Sequence, residues 1–226
     1  MPQVLGPIVF MSILSTIFVA GIGSLFKARL GISPFTIPFI LCVWIWILGA
    51  SGPYSYFPIN GEILHIGLND NPTNYTVPPL VQYDVPSLIE AVFRGIAQVY
   101  FQPNTACGAI MLIGIAVCSP ISALFALMGS IVSTLTALGL GATPASVYAG
   151  LWGYSAVLSC IAIGGMFFVA NSMTNFFYAV LAGVFSAIIH GAVASYMAPF
   201  GLPALTFPFN LVAWIWCLAG SQMSGL

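Results

Sequence analysis

Two threonines carry the most telling chemistry in this sequence. Thr36 and Thr206 each stand two residues before a proline, Pro38 and Pro208, at the head of a long apolar run. A proline inside a helix removes one amide donor and pushes off the carbonyl four residues back. The spacing therefore predicts a hydroxyl beside a freed carbonyl, that of Pro34 in one copy and of Ala204 in the other. A kink in a single helix, with the threonine bonded to its own backbone, leaves the same local signature. Recurrence in two corresponding positions points instead to paired broken helices around a binding site. Gln98 adds an amide, and Phe101 an apolar wall. Hydroxyls, amides and carbonyls in a column suit a small neutral molecule rich in N–H donors, which sheds water against apolar walls and regains its hydrogen bonds from the acceptors. By composition alone, a water pore or a structural bundle fits equally.

The remaining polar groups narrow the chemistry further. Glu90 and Arg94 lie four apart, on one face of a helix, and can satisfy each other. His190 has no carboxylate at bilayer depth to work with, and reads as a neutral packing or hydrogen-bonding histidine rather than a proton relay. Ion-coupled transporters and pumps usually need intramembrane ionisable groups, and their scarcity here favours passive movement of a neutral solute. No Ser/His/Asp set, phosphate loop or metal-spaced His/Cys cluster occurs, so neither an enzyme nor a cofactor is expected. The five cysteines all sit in apolar segments without a CxxC pair and read as small buried hydrophobes. A net charge of −1 gives no reason to expect nucleic acid as a partner.

The elements that position these residues are membrane helices. Of 226 residues 60% are hydrophobic and 3% charged, against about 25% charged in soluble domains. The segment 206–221 repeats 36–51 at an offset of 170 without a gap, with nine of sixteen positions identical. Chance gives about one or two, so this is an internal repeat. Val4 to Phe26 is long enough to span. Lys27 and Arg29 after it put the 27–33 loop in the cytoplasm by the positive-inside rule. Pro34 to Gly52 then crosses outward. Residues 52–86 form the one long polar stretch, without Lys or Arg, and carry the sequon Asn74-Tyr75-Thr76. An extracellular, glycosylated loop is the expectation, and with it a multi-pass protein of the plasma membrane. No cleavable signal peptide is expected.

Ser87 to Phe101 is too short and too polar to span. It reads as a re-entrant half-helix, with an interfacial amphipathic helix as the alternative. Apolar runs at about 104–119, 120–141, 146–170 and 172–198 supply four crossings, and Gly201 to Ser221 enters from outside. The two copies of the repeat then have opposite orientations. In the 172–198 run, Gly183, Ala187, Gly191 and Ser195 fall four apart as a small-residue packing seam. The expected fold is an all-α membrane protein with an inverted-topology repeat and a re-entrant half-helix. Residues 1–51 are the C-terminal part of a first repeat, 52–86 a linker loop and 87–226 the second repeat.

At these residues the sequence resembles the urea transporter family, whose signature Leu-Pro-x-x-Thr-x-Pro-Phe occurs once per half. Leu202-Pro203-Ala204-Leu205-Thr206-Phe207-Pro208-Phe209 matches it throughout, and Ile32-Ser33-Pro34-Phe35-Thr36-Ile37-Pro38-Phe39 keeps its Thr-x-Pro-Phe end. Arg94-Gly95-Ile96-Ala97-Gln98-Val99-Tyr100-Phe101 is similar to the family's Arg-Gly-x-x-Gln-Val-x-Phe helix, and Val132 to Leu138 and Gly153-Tyr154 are similar too. The resemblance implies a passive, channel-like urea pathway within one protomer, with protomers forming trimers among membrane lipids. It places Gln98, Val99 and Phe101 at one mouth of a filter. Thr36 and Thr206 form its middle, Phe35 and Leu205 flank them, and Leu158 packs the slot that admits a flat molecule. It also fits a glycan at Asn74.

Two departures stand against the family pattern. Pro103 to Gly108 replaces the usual Asn-Asn-Pro-x-Ser-Gly, and Gly153-Tyr154-Ser155-Ala156 replaces Gly-Tyr-Asn-Gly. At the repeat offset, residue 1 pairs with Asn171, so 1–51 holds no counterparts of 87–170. The expectation is a chain short by the start of its first half, without a Gln-Val-x-Phe helix there. A non-conducting or modulatory truncated form, or a pore for water, ammonia or other small neutral amides, stands beside urea conduction.

Overall fold

The computed structural model describes residues 2–51, 83–168 and 173–223. Every regular element among them is helical. Asn74 and most of the expected 52–86 loop lie outside the described residues.

Helix α1 (Pro2–Leu30) continues the first apolar run into Lys27 and Arg29, whose charges oppose the negative end of the helix dipole. Gly31, at φ 66°, ends it. Helix α2 (Ile37–Ser51) and its repeat partner α9 (Phe207–Met223) begin one residue after their threonines. Pro38 and Pro208 therefore lie in the first helical turn, where no amide donor is needed. The expected freed carbonyls are not free. Pro34 O accepts from Ile37 N at 3.2 Å, and Ala204 O from Phe207 N at 3.3 Å. The prolines start helices instead of kinking them.

Between the copies, the described residues form a body of six helices. Helix α3 (Val85–Ala97) is capped by Asp84, whose carboxylate accepts from Ser87 N at 3.1 Å, and Pro86 occupies its first turn. A 3-10 turn, Gln98–Tyr100, and Phe101 at φ 57° end it. The chain then bends by 73° into α4 (Thr105–Cys118). Glu90 and Arg94 pair as expected. Arg94 also donates to Tyr148 O at 3.0 Å and to Thr105 Oγ1 at 3.3 Å, which ties α3 to α4 and to the short α6 (Pro144–Tyr148).

Helix α5 (Pro120–Gly139) runs through the centre, its buried face made of small and hydroxyl residues such as Ala126, Gly129, Ser130 and Ala137. The apolar run expected at 146–170 as one crossing is broken. Helix α6 ends at Tyr148, Gly150 turns the chain at φ 74°, and α7 (Gly153–Ile161) starts afresh and runs into a π-turn, Ala162–Met166. The break lets α3 cross α7 backbone to backbone. A Cβ on Gly95 would stand 2.6 Å from Ser130 Oγ and 3.0 Å from Gly153 Cα. Helix α8 (Met173–Met197) packs on α5, α7 and α9. Its seam holds at Gly183 against Cys160, at the buried Ala187 and at Gly191 against the Trp152 ring, while Ser195 is exposed. His190 is buried, edge-on to the rings of Trp152 and Tyr154 at 5.5 and 5.3 Å, which makes it a packing histidine.

Candidate solute-binding site

The two copies of the repeat meet directly. Trp44 Nε1 donates to Pro203 O at 2.8 Å, and Trp214 Nε1 donates to Ser33 O at 3.1 Å. Each bond is the image of the other when residue n is exchanged for n + 170, the reciprocity a local two-fold arrangement produces. Between these bonds, Thr36 meets Thr206 and Asn210. From Ser33 through Thr36 to Trp44 the index rises, while that of the partner falls from Trp214 through Asn210 to Pro203. The segments therefore run antiparallel where they touch.

At the centre of this junction Thr36 Oγ1 and Thr206 Oγ1 lie 2.7 Å apart. Asn210, wholly buried, binds both copies. Its Nδ2 donates to Thr36 Oγ1 and to Thr206 O, both at 2.7 Å, and its Oδ1 accepts from Thr36 N at 3.1 Å. The amide can face only this way, because Thr36 N–H can only donate and Thr206 C=O can only accept. The hydroxyl pair has two protons and four lone pairs. Asn210 takes one lone pair, and the mutual bond takes one proton and another lone pair. One O–H donor and two acceptor sites remain for a solute. A carbonyl flanked by N–H groups is the matching chemistry.

Phe35 and Leu205, immediately before the threonines, both sit at φ 49°. Left-handed backbone in bulky residues costs about 1–2 kcal/mol, and such strain persists where surrounding contacts over-determine it. Ser33 Oγ accepts from Phe35 N at 3.2 Å, and the Ser155 hydroxyl of α7 lies 3.5 Å from Leu205 O. The Phe35 ring packs 5.6 Å from both Phe167 and Phe209.

Leu158 joins this junction to the rest of the body. It packs in the cluster of Phe35, Phe209, Ala162 and Ala213. It also lines a mainly apolar cavity of about 460 Å³ between α3, α4, α5 and α7, whose other walls include Val99, Met111 and Ile115. Of the residues singled out from sequence, the structure brings Thr36, Thr206, Phe35, Leu205 and Leu158 to one locality and puts Val99 on the wall of the cavity that Leu158 also lines. Gln98 is turned to α6, its Nε2 donating to Ala149 O at 3.0 Å. Phe101 stands at the surface, 47% exposed. Asn210 and the two indole donors were not singled out. The signal for Asn210 was its mismatch with Ile40 inside an otherwise apolar repeat.

A family model described as Urea transporter matches residues 2–221. The chain belongs to the urea transporter family. Among similar proteins, Urea transporter 1 of Capra hircus is 32% identical over 213 residues, covering 94% of this chain and 53% of the relative. Urea transporter 1 of Rattus norvegicus is 32% identical over 216 residues, covering 96% and 54%. Urea transporter 1 of Mus musculus is 31% identical over 213 residues, covering 94% and 53%. The chain spans about half the length of the curated relatives it matches. Family and apolar helices together make this an integral membrane protein, and family membership points to transport rather than catalysis.

Proposed function

We propose that this chain provides a passive, channel-like pathway for urea, with the Thr36–Thr206 pair as its central binding position. The observation that carries the reading is the hydroxyl pair itself. It is drawn from two antiparallel copies of one sequence and offers one donor and two acceptors among apolar walls. Urea presents one carbonyl acceptor and four N–H donors, which suits that complement. Phe35, Leu205 and Leu158 form the walls beside the pair, and Val99 lies on the adjoining cavity. Gln98 and Phe101 form the outer mouth, Gln98 held by Ala149 so that its amide oxygen serves the solute.

The protein works in the plasma membrane as a homotrimer among lipids. Lys27 and Arg29 are cytoplasmic, and the 52–86 loop with its glycan at Asn74 is extracellular, which gives the two repeats opposite orientations. Residues 1–51 belong to one half and 87–226 to the other. Water, ammonia or other small amides are competing solutes for the same path.

A second reading, a non-conducting subunit that modulates others, is favoured by the contrast between repeat partners. Helix α8 is packed on three helices, whereas α1 packs on α2 and exposes Val9, Ile13, Ile17 and Leu25. Urea uptake into liposomes holding the 226-residue chain decides between the readings. Conduction predicts uptake well above protein-free liposomes and a loss of about tenfold or more in Thr206→Val, as removal of one hydrogen-bonding group from an apolar passage implies. Folded protein with no uptake above the protein-free level overturns conduction and leaves the modulatory reading.

A further inference from the structure

The repeat is symmetric in its threonines, prolines and tryptophans, and breaks its symmetry at the residue that binds them. Position 40 is Ile and position 210 is Asn, both fully buried. The consequence is electronic as well as steric. Asn210 Nδ2–H points at Thr36 Oγ1, and Thr36 Oγ1 in turn lies 2.7 Å from Thr206 Oγ1. A hydroxyl that accepts a hydrogen bond becomes the stronger donor, because bonds in a chain polarise one another. Either hydroxyl can donate in this pair, and the bond from Asn210 favours Thr36 as the donor to Thr206, which leaves the Thr206 proton to point outward.

We propose that Asn210 is a positioning residue that gives the threonine pair a direction, Asn210 N–H to Thr36 O–H to Thr206 O–H. Thr206 then becomes the terminal donor to a solute carbonyl, and the two remaining lone pairs, one on each threonine, accept solute N–H groups. The inference rests on the proposed urea pathway and adds what selects within it. A solute needs a strong carbonyl acceptor, not only N–H donors. The same anchor holds the Thr36 amide through Oδ1, so Asn210 also fixes the backbone that presents the pair. Ile40, at the repeat-related position, can supply neither bond, which is why the direction is one-way.

The test compares urea with thiourea, which keeps the N–H donors but has a weaker acceptor. Permeabilities of both are measured in liposomes holding the full chain, as wild type, Asn210→Ile and Asn210→Ala. Ile reproduces the other copy's residue, and Ala removes the amide without filling the space. Loss of a polarised donor predicts a fall of about tenfold for urea and about threefold for thiourea, so that the urea/thiourea ratio drops about threefold in both variants. The swap Ile40→Asn/Asn210→Ile moves the amide to the repeat-related position and is expected to bring the ratio back towards wild type, which a space-filling role does not predict.

A wild-type flux that Thr206→Val removes, with the ratio unmoved in the Asn210 variants, overturns this inference and leaves the urea pathway standing. Absence of wild-type flux overturns the pathway instead. Hydrogen exchange at the Thr36 amide then judges the anchor: faster exchange in Asn210→Ala supports it, and unchanged exchange overturns it.

Discussion

Trp44 and Trp214 show how single residues hold the two copies of the repeat in register. Each indole reaches the other copy's connecting segment and satisfies a carbonyl, Pro203 O or Ser33 O, just ahead of a threonine. Trp44→Phe keeps the aromatic contact with Phe207, at 5.7 Å between rings, and loses only the donor. Leaving a partly buried carbonyl unpaired costs about 1–3 kcal/mol. Trp44→Phe is therefore expected to lower the unfolding free energy in detergent by that amount, with helix content unchanged. The threonines were legible in the sequence because they recur with their prolines. The indole bonds were not, since a tryptophan repeats for packing as readily as for donation. The backbone at Phe35 and Leu205 was also hidden. Neither residue type favours positive φ, and the contacts that impose it come from Ser155 on α7 and from Ser33 two positions back.

At the scale of elements, the crossing of α3 over α7 sets where the Gln98–Phe101 turn and the adjoining cavity sit. Gly153→Ala would place a methyl 2.5 Å from Gly95 Cα, with backbone on both sides. Overpacking of this kind costs about 1–3 kcal/mol, and here it also pushes α3 away from the body. The expected result is a lower midpoint of thermal unfolding together with reduced urea uptake. Gly49→Ala in α2 meets nothing within 4 Å and serves as the neutral comparison. While the caps that start α3 and α5, Asp84 and Ser119, came from the structure, most helices were readable as apolar runs. The interruption between α6 and α7 was not, because Gly150-Leu151-Trp152-Gly153 is as apolar as a span. Only the close approach of α3 requires the chain to turn there. The prolines of the signature misled for a related reason: sequence gives the spacing of Thr36 and Pro38, but whether that proline interrupts a helix or begins one depends on where the preceding turn closes.

At the scale of the whole molecule, the proposed pathway rests on two antiparallel copies of one segment that meet at Thr36 and Thr206. The proposed sidedness has Lys27 and Arg29 in the cytoplasm and the Asn74 sequon outside. Expression in glycosylating cells is expected to give a product that a glycosidase shifts, and Asn74→Gln removes that shift. An unshifted wild type would contradict the extracellular placement of the loop. The central claim is narrower: Thr36 and Thr206 form one site, so removing either disables it. The measurement that reaches this most directly is a double-mutant cycle on urea permeability with Thr36→Val, Thr206→Val and the pair together. Groups that act as one unit are non-additive. The account predicts a loss of about tenfold in each single variant and no more than about threefold further in the double. Losses that multiply, or a single variant that conducts like wild type, would mean that the two hydroxyls do not share a solute.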